Sequence, residues 1–488
     1  MTTHNGGMDL DLLPTRRHAS RQRPAAVLAM AAALVIAGCA SPATQRNATS
    51  ALAVPTQWSA AATGSDATPL ADWWQRFGDD TLRQLVAEAL AANPSVRTAQ
   101  AALRQARATQ DVTRATAGPS LRASGSGQRS KSGDNPAGNR FQAGFDASWE
   151  PDLFGGNAAG IAASEADTLA SETSLANARV SLAAEVAVSY IELRGLQQRL
   201  AFAQRSLALQ QETLQITRWR VQAGLASSLD LEQAIASTSQ TEAQIPALQT
   251  SVDQSIHALS VLTGQPPAAL LERLSAEGAI PAPPADLALS LPADTLRQRP
   301  DVGTAGHRLA AALSRLDQAE AARYPSLQIS GSVGLSALTL SGLGSGGATL
   351  ANALLASISM PLFDGGATRA RIEAQDAAVE QARIAYESAV LTALQDVEDA
   401  LVSLRGDRER LEKLQVAAEA AANAELLARQ RYSSGLIDFS AVLDTQRTLL
   451  SAQDSLASAR ATLSADHVRL YKALGGGWQP DTAPTASR

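Results

Sequence analysis

Two hydrophobic periods alternate along this chain, and the whole alternation occurs twice. A capping-box pattern, Thr81-x-x-Gln84, predicts the start of a short helix. Asn93-Pro94 interrupts it and starts a second helix to about Thr116, with Pro at the first helical position, where its missing N–H does no harm. From Pro119 the period drops to two. Leu121, Ala123 and Gly125 alternate with Arg122, Ser124 and Ser126; after a loop at Ser132-Gly133-Asp134-Asn135-Pro136, Phe141, Ala143, Phe145, Ala147 and Trp149 alternate with polar residues. A hairpin over about 119–151 is predicted, with one apolar and one polar face. A proline-free stretch from Ala158 to Ala223 follows, in which Leu193, Leu200, Leu207, Leu214 and Val221 keep a seven-residue spacing. Sustained heptads predict a long helix supercoiled with partners. Gly224 ends it as a C-terminal cap glycine, and a helix returns over about 229–263.

The second half repeats this plan. Asn93-Pro94-Ser95-Val96 returns as Arg299-Pro300-Asp301-Val302, Pro119-Ser120-Leu121 as Pro325-Ser326-Leu327, and Arg220…Gly224-Leu225 as Arg431…Gly435-Leu436. A period of about half the chain is far too long for a solenoid and points to two copies of one unit in a pseudo-symmetric ring or bundle. Strands over about 325–361, a long helix over about 367–434 and a returning helix over about 439–474 are predicted; Val390, Val397, Leu404, Leu411 and Ala418 carry the second heptad register. The domain plan is a leader (1–38), an extended segment (39–79), a first repeat (80–264), a Pro-rich linker (265–292), a second repeat (293–475) and a tail (476–488). Trp73-Trp74-Gln75-Arg76-Phe77 is read as an aromatic knot packed on the body.

Four strands cannot close a membrane barrel, for which about eight are the usual minimum, and lipid tolerates no open sheet edge. Other copies must complete the barrel, and three chains would supply twelve strands.

The N-terminus changes the picture. Arg16, Arg17, Arg21 and Arg23 precede a short apolar run, Ala25 to Ala37, that ends in Ile36-Ala37-Gly38-Cys39. The run is too short for a bilayer anchor and reads as a secretory leader; its end resembles a bacterial lipobox. Cys39 is the only cysteine, so no internal disulfide exists, and lipid on Cys39 is the expected modification. Ala40 rather than Asp after it implies sorting to the outer membrane. No later stretch is apolar for long enough to form a transmembrane helix. The net charge is −6, and the leader carries off four Arg and two Asp, leaving a chain too acidic to favour nucleic acid.

Catalytic chemistry finds no support. Gly342-x-Gly344-x-x-Gly347 fits a dinucleotide fingerprint formally, but it lies between two strands and reads as a hairpin tip. His257, His307 and His467 lack metal-ligand spacing, and adjacent Glu398 and Asp399 diverge on a helix. No enzyme, metal or cofactor is expected.

The lipobox, the Trp-Trp knot, the two Pro-started helices, the Pro-Ser-Leu strand starts and the Arg-x-x-x-Gly-Leu tips together resemble the outer membrane efflux protein family, in its NodT-like lipoprotein branch. The resemblance covers about residues 70–475. It implies a mainly α fold with membrane β: a homotrimer whose 12-stranded barrel in the outer membrane continues into a 12-helix barrel in the periplasm. It also implies a passive exit duct for drugs or other small molecules, partnered by a periplasmic adaptor and an inner-membrane RND-type pump. For the closed periplasmic end, it implies a polar link between Asp230 and Tyr432 with Arg431 beside it, and an acidic ring containing Asp444. Ala441 and Ile437 stand where some members have a second Asp and an Arg. Gly224, Leu225, Ser227, Gly435 and Leu436 are the implied adaptor-docking tips. Competing readings are a duct for protein or metal-ion export and a periplasmic adaptor lipoprotein; an adaptor should have one helical hairpin, not two.

Overall fold

The computed structural model describes residues 55–59, 70–134, 136–282, 295–296 and 298–478. The leader, the lipobox with Cys39, part of the linker and residues 479–488 lie outside them. In chain order the elements are a 3-10 turn (Trp73–Phe77), α1 (Asp80–Ala92), α2 (Pro94–Thr116), β1 (Ser120–Ser130), β2 (Gly138–Trp149), α3 (Gly156–Gln222), α4 (Ser228–Leu262), α5 (Leu271–Leu274), α6 (Pro300–Ala321), β3 (Ser326–Ala337), β4 (Thr349–Ser359), α7 (Ala367–Ser433) and α8 (Phe439–Ala473). The duplication is exact in length where it matters most: α3 and α7 each hold 67 residues, and α4 and α8 each hold 35. At 1.5 Å per residue the long helices run roughly 100 Å. Among the described residues no helix is long and apolar enough to cross a membrane.

The strands form one antiparallel sheet in the order β1-β2-β3-β4, so the hairpin of each repeat pairs with the other through β2 and β3. Register then decides the faces. Ala123 lies opposite Phe145, Phe145 opposite Val333 and Val333 opposite Asn352; one step along, Gly125, Ala143, Leu335 and Leu350 form the next row. The intervening rows, Arg122–Asp146–Ser332 and Ser126–Gln142–Ser336, fill the other face. One face, apolar but for Asn352 in these rows, thus runs across both repeats. It is uncovered: Leu121, Phe145, Leu350, Leu354 and Ile358 are all exposed in the single chain. Gly144 meets Val333 and Gly334 so closely that a Cβ would stand 2.7 Å from the Val333 carbonyl oxygen, which is why the polar face is bare at that crossing.

The main core lies where α1, the middle of α3 and the C-terminal ends of α4 and α8 meet. Trp73 is fully buried there, stacked on Tyr471 at 5.5 Å and edge-on to Trp74 and Phe77. Leu85, Val86, Val186, Ile191, Leu193, Ile256, Leu259 and Val468 complete it. Of the heptad residues, Leu193, Leu214, Val390, Val397, Leu404 and Ala418 are buried, as the spacing predicts. Asp79, not Thr81, caps α1: its Oδ1 accepts from the Leu82 N–H at 2.9 Å, and the same carboxylate accepts from the buried Tyr190 hydroxyl. The capping-box pattern is displaced because an Asp two residues nearer the aromatic knot serves both partners. The described start of the linker is firmly held rather than loose, since Leu270 and Leu274 are buried and the Leu274 and Ala276 carbonyls accept from Gln197 and Arg194.

Each repeat closes on itself by the same device. Asn93 ends α1 and caps α2; its Oδ1 accepts from Ser95 N–H at 2.8 Å while its Nδ2 donates to the Leu262 carbonyl at the end of α4, 2.7 Å away. Arg299 precedes α6 in the same way, and its Nη1 donates to the Ala473 carbonyl at the end of α8, 3.0 Å away. Gly264 and Gly475, both at positive φ, let the returning chain pass against Ala92 and Gln298.

Two outcomes follow for purified protein. Asn93→Ala removes a cap and strands the Leu262 carbonyl, and should cost about 1–2 kcal/mol. Gly264→Ala should cost more, because its Cβ would stand 2.8 Å from the Ala92 carbonyl oxygen at a left-handed φ of 73°. Denaturant unfolding of the detergent-extracted protein measures both, and equal, negligible losses would contradict the interlock.

Candidate functional site

The candidate site is the pair of turns at the ends of α3 and α7 farthest from the sheet. Both are built alike. The Gly224 N–H donates to the Val221 carbonyl and Leu225 N–H to that of Arg220; Gly435 and Leu436 donate to Tyr432 and Arg431 in the same pattern. This is the Schellman arrangement, which needs a left-handed residue, and Gly224 (φ 76°) and Gly435 (φ 72°) supply it. The residue after that glycine usually packs back on its own helix. Here Leu225 and Leu436 are instead 72% and 74% exposed, with Leu229 and Trp219 also exposed nearby. Apolar side chains held outward on rigid turns suit a partner.

The two tips differ in chemistry. Ser227 and Asp230 form a full capping box at the start of α4: the Ser227 hydroxyl accepts from Asp230 N–H, and Asp230 Oδ2 accepts from the Ser227 N–H and hydroxyl. Asp438, at the start of α8, makes no such side-chain bond. Behind the turns lies a small cluster of Leu214, Ala234, Phe439 and Leu443, on which Tyr432 packs with its ring 5.4 Å from that of Phe439. The Arg220 guanidinium lies 4.5 Å over the Tyr432 ring and its Nη1 donates to the Tyr432 carbonyl at 3.4 Å. Arg220 therefore binds the first tip to the second inside one chain. It belongs to the repeated Arg-x-x-x-Gly-Leu motif, but nothing in the sequence distinguishes it from Arg431, which is exposed. Below the tip, Gln446 Nε2 donates to Thr213 Oγ1 at 3.2 Å, and Thr213, Thr217, Gln210, Gln446 and Glu425 form a buried polar stretch among α3, α7 and α8.

Asp230 and Tyr432 are not bonded to each other within one chain. Asp230 is occupied by its own cap, and the Tyr432 hydroxyl has no hydrogen-bond partner among the described residues. Asp444 is exposed one turn from Arg447, whose Nη1 is 4.0 Å from its carboxylate. Among the described residues no group of acids, His or Cys could hold a metal.

Comparison with known proteins places this geometry. Residues 85–265 and 291–476 each match the profile described as outer membrane efflux protein, one match per repeat. The pyoverdine export outer membrane protein OpmQ of Pseudomonas aeruginosa is 32% identical over 468 residues, covering 93% of this chain and 97% of that protein. Nodulation protein T of Rhizobium leguminosarum bv. viciae is 34% identical over 409 residues, covering 83% of this chain and 84% of that protein. The solved outer-membrane channel OprN superposes with a TM-score of 0.82 at 35% identity, covering 88% and 98% of the two chains. VceC of Vibrio cholerae gives 0.78 at 27% identity, covering 84% and 100%. The chain belongs to the outer membrane efflux protein family, and it is an outer-membrane efflux channel with its helical part in the periplasm.

The tip contacts make a prediction. Arg220→Ala removes a cation over an aromatic ring, worth about 0.5–1 kcal/mol where partly exposed, and should speed amide exchange in both tips. Tyr432→Phe keeps the ring under the guanidinium and should speed that exchange less than Arg220→Ala does. Peptide-resolved hydrogen exchange separates the two; protection of the second tip untouched by Arg220→Ala would remove the clamp.

Proposed function

We propose that this efflux channel is the lipid-anchored, homotrimeric exit duct of an RND-type tripartite system, docked by its tips to a periplasmic adaptor above an inner-membrane pump. The observation that carries the trimer is the sheet: four strands in register with one largely apolar face and unpaired outer edges on β1 and β4. Lipid offers those edges no hydrogen bonds. Joining β4 of one copy to β1 of the next satisfies both, and three copies give a closed twelve-stranded barrel.

The helices support the same closure. The second-repeat helices have two neighbours: α6 packs on α7 and α3, and α8 on α7 and α3. Their first-repeat counterparts, α2 and α4, pack chiefly on α3. The missing neighbour is in each case an α7, and α7 presents exposed Ile384, Leu391, Val402, Val416 and Leu427. A neighbouring copy fills the slot by the head-to-tail contact that closes a ring. Within such a ring Arg431 is free to do for the next subunit's first tip what Arg220 does inside the chain. Asp230, with one carboxylate oxygen left over from its cap, is then the acceptor for Tyr432 or Arg431 across that interface. Three copies of Asp444 form an acidic ring, and the outward Leu225 and Leu436, with Gly224, Ser227 and Gly435, form the adaptor-docking surface. Cys39 carries the lipid.

Mass measurement of detergent-extracted protein should give a trimer with no folded monomer beside it; a folded, monodisperse monomer ends the reading. Phe145→Arg, on the apolar face, should cost about 2–4 kcal/mol near the bilayer midplane, and Gln142→Arg on the polar face far less. Labelled palmitate should enter the wild type and not Cys39→Ser. In planar bilayers Tyr432→Phe with Asp230→Ala should raise conductance, and Asp444→Ala should weaken block by multivalent cations; wild-type behaviour in both would remove the gate assignment.

A further inference from the structure

The two repeats match in length from α3 to the end of α4 and from α7 to the end of α8, and one region along them differs in charge. Asp407 and Asp466 stand where the first repeat has Leu196 and Ser255. His467 replaces Ile256, Arg408 replaces Gln197, Arg469 replaces Ala258 and Lys472 replaces Val261. At these positions the joint between long and returning helices is uncharged in the first half and charged in the second.

Asp466 is 3% exposed. Its Oδ1 accepts from Arg469 Nη1 at 2.6 Å, but its buried Oδ2 has no donor. Across the joint, Asp407 of α7 faces it within hydrogen-bonding reach. Two carboxylates cannot hydrogen-bond without a proton between them, so the orphaned Oδ2 and the facing carboxyl together define a site for one proton. The surrounding groups do not supply it. From α8, Arg469 holds Oδ1, Lys472 lines the neighbouring cavity of about 350 Å³, and His467 is neutral. Burial first, and then Arg408, lower the His467 imidazole, whose ring nitrogens are engaged by the Leu463 carbonyl and Arg408 Nη2. From α7, Arg410 stands 3.8 Å from Asp407, and Asp399 lines the cavity. From the start of α6, Arg299 is committed to Asp301 and Asp396, at 2.6 and 2.8 Å. From α3, Glu192 shares a cleft with Arg469 on the far side.

We propose that Asp407 and Asp466 form a proton-held clasp between α7 and α8, closed in mildly acid surroundings and weakened when the shared proton leaves to water. The clasp exists only in the second repeat, so its release loosens one helical pair and not the other. Its existence does not depend on the duct reading. Burial and then the neighbouring Asp407 carboxyl push the Asp466 carboxyl up to about 6, against the pull of Arg469. A carboxyl raised on folding adds stability at low pH and loses it as pH climbs through that value.

Amide exchange of the detergent-extracted full chain, corrected for intrinsic rates, tests this. Between pH 5 and 7.5 the opening of the 400–414 and 460–473 segments should rise about tenfold, and the matching 189–203 and 249–262 segments should not change. Asp466→Asn and Asp407→Asn should each abolish the rise. Infrared difference spectra should show a protonated carboxyl at pH 5 that is lost at pH 7.5 and missing from both variants. The infrared signal in the wild type decides the matter even if one variant folds poorly. An equal rise in both repeats, a rise that persists in the variants, or no protonated carboxyl at pH 5 would overturn the clasp.

Discussion

An apolar sheet face with two unpaired edges is the constraint on which this molecule turns. Every backbone N–H and C=O exposed to hydrocarbon without a partner costs several kcal/mol, and lipid supplies none. The four strands satisfy one another at three junctions and leave two edges open. The helical part carries the same incompleteness. First-repeat helices that lack the second neighbour enjoyed by their second-repeat counterparts leave the chain one-sided along its whole length. In the proposed trimer, barrel closure and helical closure are a single requirement, imposed at the sheet and met by the same neighbouring copy.

Duplication supplies this economy. Both repeats lock the start of an entering helix onto the last carbonyls of a returning one, at Asn93–Leu262 and at Arg299–Ala473. The position of the lock is shared, while its chemistry is not. Asn93 is neutral. Arg299 also bridges Asp301 and Asp396; burial alone would depress its guanidinium, but those two carboxylates outweigh burial and hold it above its usual value. Inside the joint between α7 and α8 the second repeat places Asp407 and Asp466, where the first has Leu196 and Ser255; the buried charge of the first repeat's joint is Arg194. The tips diverge similarly: the first has a closed capping box and sends Arg220 across, while the second receives that arginine on Tyr432 and leaves Arg431 in solvent.

Periodicity alone determined most of the architecture. The switch from period 3.6 to period two at Pro119 and Pro325, the prolines at the start of two helices and the glycines at their ends are local signals, because each acts through the backbone of a few neighbouring residues. They placed α2 at its observed ends and the long helices within about two residues. The four strands, the sheet's apolar face and the buried heptads followed from the same patterns. What the tertiary structure alone decided depends on which elements meet. Asp79 displaced Thr81 as the cap of α1 because Tyr190, more than a hundred residues on, also needed its carboxylate. Arg220 and Arg431 read identically in sequence and separate only because one lies over Tyr432 within the chain. Asp230 and Tyr432, paired by resemblance, are not bonded in a single chain, where Asp230 holds its own helix cap and Tyr432 packs under Arg220. The shared proton site of Asp407 and Asp466 was invisible along the chain, since two carboxyls 59 residues apart acquire a common environment only when α7 and α8 bury them against each other.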